Sequence, residues 1–238
     1  TAELSYPSSL ACSCSYLSIG YDQIMSVQPQ YHQLCSSAFL TDVWLAYFDL
    51  GPNARMLTWN PSDFRLAGQG FFVLLQVLCT MGEEVVDTAV ANFNATGLIT
   101  RQVLSRADIA AETGTILTQF ELQTVASVMW LFELIRISIS GDQLFAGTSA
   151  GAIFAQDENH TVEFSPIIDA TSCSCGTSTE CGGLYGFFPI WSAGMPLNGE
   201  NIVQPVSGLT GACFPVEAAL RSTLQCLYTP SCLALLMT

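Results

Sequence analysis

Residues 115–138 read TILTQFELQTVASVMWLFELIRIS, and this stretch decides the fold. Its apolar side chains recur every three or four positions, which is the period of a helix face. Over residues 128–135 nearly the whole circumference is apolar, as expected of a helix with neighbours on several sides. Glu121, Glu133 and Arg136 interrupt the stretch before it reaches the length of a membrane span. We therefore predict a long central helix in the core of the protein.

Charge is sparse in this chain and strongly one-sided. Only 11% of the residues are charged, against about 25% in typical soluble domains. All six basic residues are arginine, and twenty acids give a net charge of −14. Because phosphate binding requires clustered cations, the scattered arginines argue against a nucleic-acid partner and against an anionic membrane surface. Reactions that need a lysine are excluded.

The sequence is nevertheless rich in apolar residues, whose surface must be covered. Half of its residues are hydrophobic and its mean hydropathy is +0.42, yet we expect no membrane span. Sparse charge leaves a large neutral exterior, which sugars or other copies of the chain can cover. We expect both N-linked glycans and copies of the chain as partners.

The cysteines form an even set of ten without a C-x-x-C pair: Cys12, Cys14, Cys35, Cys79, Cys173, Cys175, Cys181, Cys213, Cys226 and Cys232. With only two histidines in the chain, a zinc site would need an unusual all-thiolate set. We therefore predict up to five disulfides in an oxidising compartment, the alternative being free buried thiols in the cytosol. The pairs that we favour are Cys35 with Cys79, on adjacent helices, and Cys226 with Cys232, across Pro230. No metal site and no cofactor is predicted.

Two sequons predict N-linked glycans at Asn94 and Asn159, whereas Pro61 blocks Asn60. The chain begins at Thr1 with neither a methionine nor a signal peptide, so we expect a processed mature chain or a part of one, and the native polypeptide can extend past Thr238. Together with the cysteines, the sequons predict a secreted, extracellular protein.

We predict a mainly α fold, with α+β as the alternative, in a single domain over residues 1–238. Residues 1–140 are expected to be helical around the central helix. Residues 141–212 are rich in cysteine and glycine, which predicts an irregular, disulfide-stapled segment with short strands. Residues 213–238 predict a C-terminal helix that returns to pack on the helical half, and an apolar tail.

Proline, glycine and capping residues mark the expected elements. Helices are predicted over 29–48, from a cap at Ser62 or Asp63 to Cys79, over 83–93, over 98–111, and from Pro215 until Pro230 ends the last one. Strands are predicted over 151–155, 161–164 and 185–191.

The segment GTSAG at residues 147–151 matches the G-x-S-x-G motif, which in hydrolases exposes a nucleophilic serine on a strand-to-helix turn. It resembles the nucleophile elbow of patatin-like lipases, whose partner is an Asp-Gly or Asp-Ala pair. Asp169-Ala170 matches that pair in type but follows the serine too closely. A long helix precedes the motif instead of a buried strand, and His160 lies within a sequon. We favour a turn of small residues over catalysis by Ser149.

Three stretches carry a family resemblance: YHQLCSS at 31–37, LIR at 134–136 and CFPVEAALRSTLQCLY at 213–228. There the chain is similar to large, cysteine-rich proteins, predicted to be extracellular, that are expanded in rotifers and other aquatic microeukaryotes. CSC at 12–14 and PSC at 230–232 fit the same pattern. That group has no assigned activity, so the resemblance implies secretion and disulfides and carries over no catalytic residue.

These features predict a secreted, disulfide-rich glycoprotein that assembles with copies of itself into an extracellular fibre, appendage or coat. Sparse charge limits repulsion between copies, and a head-to-tail contact that does not close generates a filament. The predicted docking element is residues 1–18 or the tail at 233–237, by strand addition. The alternatives are a secreted serine hydrolase that uses Ser149, and an adhesive or ligand-binding ectodomain.

Overall fold

The computed structural model describes residues 18–49, 63–100, 104–140, 152–156, 162–166, 181–188 and 204–237. These residues are 68% helical with 15% strand, so the prediction of a mainly α fold with a long central helix is confirmed. The helices are α1 (Tyr21–Ile24), α2 (Asp42–Tyr47), α3 (Phe64–Asn94), α4 (Arg106–Ser140), α5 (Pro215–Arg221) and α6 (Pro230–Leu236). The strands are β1 (Ser18–Gly20), β2 (Gly97–Ile99), β3 (Ala152–Gln156), β4 (Val162–Pro166), β5 (Gly182–Phe187) and β6 (Gln204–Ala212).

Within the described residues the strands pair consecutively into three two-stranded antiparallel sheets, β1–β2, β3–β4 and β5–β6. The strands predicted over 151–155, 161–164 and 185–191 correspond to β3, β4 and β5, with small shifts of their ends. No strand was predicted at β6, whose sequence contains Pro205 and two glycines and lacks a regular alternation of apolar residues.

Contacts divide the chain into two compact units. The first comprises Thr1–His32 and Cys79–Phe132, and the second comprises Gln33–Leu78 and Glu133–Thr238. Both α3 and α4 contribute residues to each unit. The single domain over residues 1–238 stays a prediction.

Helix α3 begins at an aspartate cap and continues through the glycine that was expected to interrupt it. The Asp63 carboxylate accepts a hydrogen bond from the Arg65 amide at 2.9 Å, and the Asp63 carbonyl accepts from the amides of Leu66 and Ala67. One of the two predicted caps is therefore used. The prediction of two helices, split at Gly82, is wrong because a glycine costs only about 1 kcal/mol relative to alanine inside a helix.

Helix α4 likewise joins two predicted segments into one. Its start is a reciprocal cap, in which the Ser105 hydroxyl accepts from the Asp108 amide and the Asp108 carboxylate accepts from the Ser105 amide, both at 3.2 Å. Leu98 and Ile99, predicted to begin a helix, belong to β2 instead. Between residues 106 and 138 none of the α4 side chains is buried. The helix predicted at 115–138 therefore exists, but its placement in the core was wrong.

The first unit has a small aromatic core. Tyr21 stacks on Phe93 with ring centroids 4.8 Å apart, and Phe93 contacts Phe120 of α4 at 4.5 Å. The Tyr31 hydroxyl donates to the Asp87 carboxylate at 2.6 Å, and this hydrogen bond raises the pKa of Tyr31 to about 12. Three aromatic rings thus connect α1, the end of α3 and the middle of α4.

The second unit has a larger aromatic core. Phe64 and Phe72 of α3 are fully buried, and both rings pack against Phe48 at centroid distances of 5.6 and 5.4 Å. Tyr185 of β5 reaches the same cluster, 6.0 Å from Phe64. A Cβ at Gly68 would lie only 3.0–3.2 Å from the rings of Phe64 and Phe48, so the glycine allows this packing.

The predicted helix over 29–48 is broken into short pieces. 3₁₀ turns at Gln33–Ser36 and Ala38–Leu40 precede α2. The Ser37 hydroxyl donates to the Leu34 carbonyl and accepts from the Phe39 amide, while Thr41 donates to the Ala38 carbonyl. Such side-chain bonds to the backbone compete with the continuous hydrogen bonding of a helix.

The C-terminal region packs on β6. Pro215 begins α5 as predicted, but the chain leaves the helix after Arg221, where the Thr223 amide donates to the Gly208 carbonyl at 2.6 Å. Gly208 has φ +79°, a backbone conformation that favours glycine. Pro230 does not end a helix; it lies in the first turn of α6.

The apolar tail at 233–237 is not the docking strand that the sequence predicted. Most of it lies in α6, where Leu236 is buried. The Tyr47 hydroxyl of α2 also donates to the Met237 carbonyl. The tail is therefore helical and forms no strand in the structure, and docking by these residues stays a prediction. The other predicted docking element, residues 1–18, lies outside the described residues except for Ser18.

Truncation of Phe64 should severely destabilise the second unit. Phe64→Ala removes a fully buried ring with four aromatic neighbours, so we expect the free energy of unfolding to fall by about 3–5 kcal/mol. Val43→Ala, at a side chain that is 83% exposed, should change it by less than about 0.5 kcal/mol. Urea unfolding without reductant measures both; equal effects would contradict the proposed core.

Stability should also fall in alkali because of Tyr185. Burial raises the pKa of Tyr185 from its ordinary 10.0 to about 12. Since the folded pKa is raised, the stabilisation is complete below pH 10 and is lost as the pH rises from 10 to about 12, by about 2–3 kcal/mol in total. Tyr185→Phe should flatten the part of the pH profile that Tyr185 contributes, while the raised pKa of Tyr31 remains in the variant. A profile that Tyr185→Phe does not alter would refute the assignment.

Candidate interaction surface

Every cysteine within the described residues is oxidised. Cys226 and Cys232 are bonded to each other with their Cα atoms 5.1 Å apart, which is the pair predicted across Pro230. The other described cysteines, Cys35, Cys79, Cys181 and Cys213, are also disulfide-bonded. The pairing of Cys35 with Cys79 stays a prediction. The remaining four, Cys12, Cys14, Cys173 and Cys175, lie outside the described residues.

One of the two predicted glycosylation sites is described. Asn94 is the last residue of α3, and it is followed by exposed Ala95 and Thr96 in the turn before β2. The Thr96 hydroxyl donates to the Phe93 carbonyl at 2.7 Å, which fixes the turn. Asn94 is thus half-exposed at a helix end, in a position that can carry a glycan. Asn159 lies outside the described residues.

The candidate hydrolase motif is not placed by the structure, since Ser149 and His160 lie outside the described residues. Among the residues that are described, no group of three or more histidine, cysteine or acidic side chains could hold a metal ion. The structure therefore brings no predicted catalytic residues together.

Helix α3 is long and apolar enough to cross a membrane, and 22% of its most apolar window is buried. This finding differs from the expectation that no segment of the chain would qualify. Core helices of soluble proteins share the property, and the buried rings of Phe64 and Phe72 place the first turns of α3 in such a core. The absence of a membrane span stays a prediction.

Helix α4 carries several exposed large apolar side chains in the first unit, where Ile99 of β2 is also exposed. Leu122, Val125, Met129 and Trp130 are 67%, 61%, 60% and 67% exposed. With Ala126, which is also exposed, they form what we call the α4 apolar face. Four large apolar side chains within nine residues of one helix make a contiguous patch, and patches of this kind mark interaction surfaces.

The contact between α4 and α3 determines which side of the helix is exposed. Phe120 is half-buried against Phe93. Successive helical residues turn by about 100°, so Leu122, Val125 and Met129 point roughly away from Phe120. The α4 apolar face is therefore the side opposite the aromatic core of the first unit.

The electrostatics of α4 set this surface apart from the rest of an acidic chain. Between Glu112 and Glu133 the helix carries one charged residue, Glu121. By helical periodicity Glu121 lies outside the row formed by Leu122, Ala126 and Met129. The α4 apolar face is thus almost neutral, and covering it desolvates no ion pair.

The described ion pairs of the second unit lie elsewhere and are structural. The carboxylate of Glu217, on α5, accepts from Arg136 at 2.5 Å and has Arg221 at 3.9 Å. Arg136 also contacts Glu133 at 2.7 Å, and its bond to Glu217 raises the pKa of Arg136. Glu217 is largely buried, so these cations compensate its charge.

A second buried carboxylate serves the fold in the same way. Asp63 is fully buried, and it accepts from the Arg65 guanidinium at 2.6 and 2.9 Å and from the Phe188 amide at 3.1 Å. Arg65 in turn donates to the Phe188 carbonyl and lies 5.8 Å from the centroid of the Phe187 ring. These hydrogen bonds connect the start of α3 to the end of β5.

The exposure of the α4 apolar face and the bond between Asp63 and Phe188 were not predicted from the sequence. Leu122, Val125, Met129 and Trp130 fit the pattern of a core helix, and an all-round apolar helix does not reveal which side stays uncovered. The near absence of charged residues around them was the sequence signal that could have indicated an exposed apolar face. The partnership of Asp63 with Phe188 spans 125 positions and leaves no local sequence pattern.

No protein family, curated protein or solved structure that was compared matches this chain. The functional assignment therefore depends on the residues of the chain itself.

Removal of either arginine beside Glu217 should reveal their unequal roles. Arg136→Ala leaves the largely buried Glu217 with only the more distant Arg221, and we expect a loss of about 2–3 kcal/mol in the free energy of unfolding. Arg221→Ala removes the longer contact and should cost less than about 1 kcal/mol. Urea unfolding of both variants tests this order, and a larger loss for Arg221→Ala would reverse the assignment.

Proposed function

We propose that the protein is a secreted, disulfide-bonded and N-glycosylated structural subunit that assembles with copies of itself outside the cell, into a fibre, appendage or coat. The observation that carries the proposal is the α4 apolar face, a nearly neutral patch of large side chains on an otherwise acidic chain.

The oxidised cysteines support the extracellular part of the proposal. Disulfides persist in oxidising compartments, and all six described cysteines are disulfide-bonded. Asn94 is half-exposed at the end of α3, next to an exposed turn, a position that can carry a glycan. The resemblance to cysteine-rich proteins that are predicted to be extracellular points the same way.

The balance of charge supports copies of the chain as the partner. A basic partner would be attracted to the carboxylates of this acidic chain rather than to a neutral face. A second copy offers the same neutral face and so loses no charge–water contact there. Self-association is therefore the use that best fits an apolar face on this chain.

The direct test is the mass and shape of the full chain secreted from eukaryotic cells with its glycans and disulfides retained. We expect light scattering to give multiples of the glycosylated chain mass, and electron microscopy to show ordered assemblies. Intact mass before and after reduction should show paired cysteines, and enzymatic deglycosylation should show a glycan at Asn94. A monodisperse monomer with reduced thiols would refute the proposal.

Salt should strengthen the assembly. Copies of net charge −14 repel one another, and raising the ionic strength from 0.1 to 1 M shortens the screening length from about 10 to about 3 Å. The concentration at which half of the chains are assembled should therefore fall severalfold in sodium chloride, as measured by sedimentation. Dissociation by salt would instead indicate a contact made by opposite charges, and would contradict an apolar interface.

A further inference from the structure

We propose that the α4 apolar face is a self-complementary contact, in which α4 of one copy packs antiparallel against α4 of a second copy about a two-fold axis at Ala126. This proposal rests on the proposed function, because it names the partner and the geometry of one assembly contact. It concerns only residues of the first unit.

The pattern of side chains fits the packing of two helices. Leu122, Ala126 and Met129 follow the spacing of four and three that forms the central row of a helix–helix seam. Val125 flanks this row on one side and Trp130 on the other. Ala126, the smallest of the five, lies at the middle of the row, where two helices approach most closely.

The α4 apolar face supplies the larger part of the area that such a contact needs. Its four large side chains expose on the order of 500 Å² per copy, which approaches the roughly 800 Å² per partner of a standard interface. Trp130, at 67% exposure, is the kind of side chain that contributes most at the centre of an interface. Residues flanking the face, such as Gln119, can supply the polar rim.

Charge selects the antiparallel orientation. In a parallel pair, each acidic residue of α4 lies beside the same acidic residue of the second chain. In an antiparallel pair centred on Ala126, the two copies of Glu121 lie about 15 Å apart along the axis and those of Glu112 about 42 Å apart, beyond the screening length at physiological salt. The antiparallel arrangement also places opposite ends of the two helix dipoles together.

The symmetry of this contact has a consequence for assembly. A two-fold contact uses the same face on both copies, so it closes after two chains. The assembling unit is then a dimer, and growth into a fibre or coat requires a second contact on another surface.

Cysteine cross-linking tests the geometry in the full, glycosylated and oxidised chain. Ala126→Cys places a thiol at the axis, where the two copies come within disulfide distance, so most of the chain should migrate as a dimer without reductant. Gln119→Cys lies about 21 Å from its copy in the antiparallel pair and should remain monomeric. Ala110→Cys, on the opposite side of α4, is the matched control for random oxidation.

The outcomes separate this proposal from the proposed function. Cross-linking of Gln119→Cys as strong as that of Ala126→Cys indicates a parallel pair and overturns the geometry. If assemblies of unchanged size form but Ala126→Cys cross-links no more than Ala110→Cys, the proposed function stands and this contact is overturned. If neither assemblies nor cross-links form, both proposals fail. A last outcome is that the chain floats with phosphatidylcholine vesicles, that Trp130→Glu abolishes this flotation, and that no cross-link forms. This result would assign the face to lipid and would also overturn the contact.

If Ala126→Cys disturbs folding, a mixture of two variants gives the same information. Leu122→Cys in one chain and Trp130→Cys in the other lie opposite each other in an antiparallel pair centred on Ala126, so the mixture should give a heterodimer. Neither variant alone should cross-link to itself. Self-cross-linking of both without a heterodimer would refute the antiparallel contact.

Discussion

The constraint on which this structure depends is the burial of apolar surface by a chain that has little charge to keep it dissolved. Half of the residues are hydrophobic and 11% are charged. Aromatic side chains pack together in each unit: Phe93 contacts Tyr21 and Phe120 in the first, and Phe48, Phe64 and Phe72 pack together in the second. What these two cores leave uncovered determines how the molecule can interact.

The few charged groups of the second unit are used to hold elements together. Asp63 both caps α3 and accepts from the backbone beyond β5, and Glu217 connects α5 to Arg136 of α4. Because both carboxylates are buried beside arginines, they contribute specificity of packing and little to solubility. Disulfides add to this rigidity; the bond between Cys226 and Cys232 fixes the short helical turns at the C-terminus, and such bonds mainly restrict the unfolded chain.

The sequence predicted what depends on local patterns. The long helix at 115–138, the cap at Asp63, the start of α5 at Pro215 and the pair Cys226–Cys232 all have local signals. The breaks at Gly82 and Pro230 were wrong because glycine is tolerated inside a long helix and proline also favours the first turn of one. The strand β6 and the exposure of α4 could not be predicted, since both depend on contacts between residues far apart in sequence.

The central claim is that the α4 apolar face is covered by another copy of the chain in the native assembly. Hydrogen–deuterium exchange of the glycosylated, oxidised chain tests this most directly, by following the amides of residues 118–132 as the protein concentration rises through the assembly transition. The account predicts that these amides become more protected with concentration, while those of residues 64–72, already in a core, do not change. Exchange at 118–132 that is independent of concentration, in a chain that assembles, would contradict it.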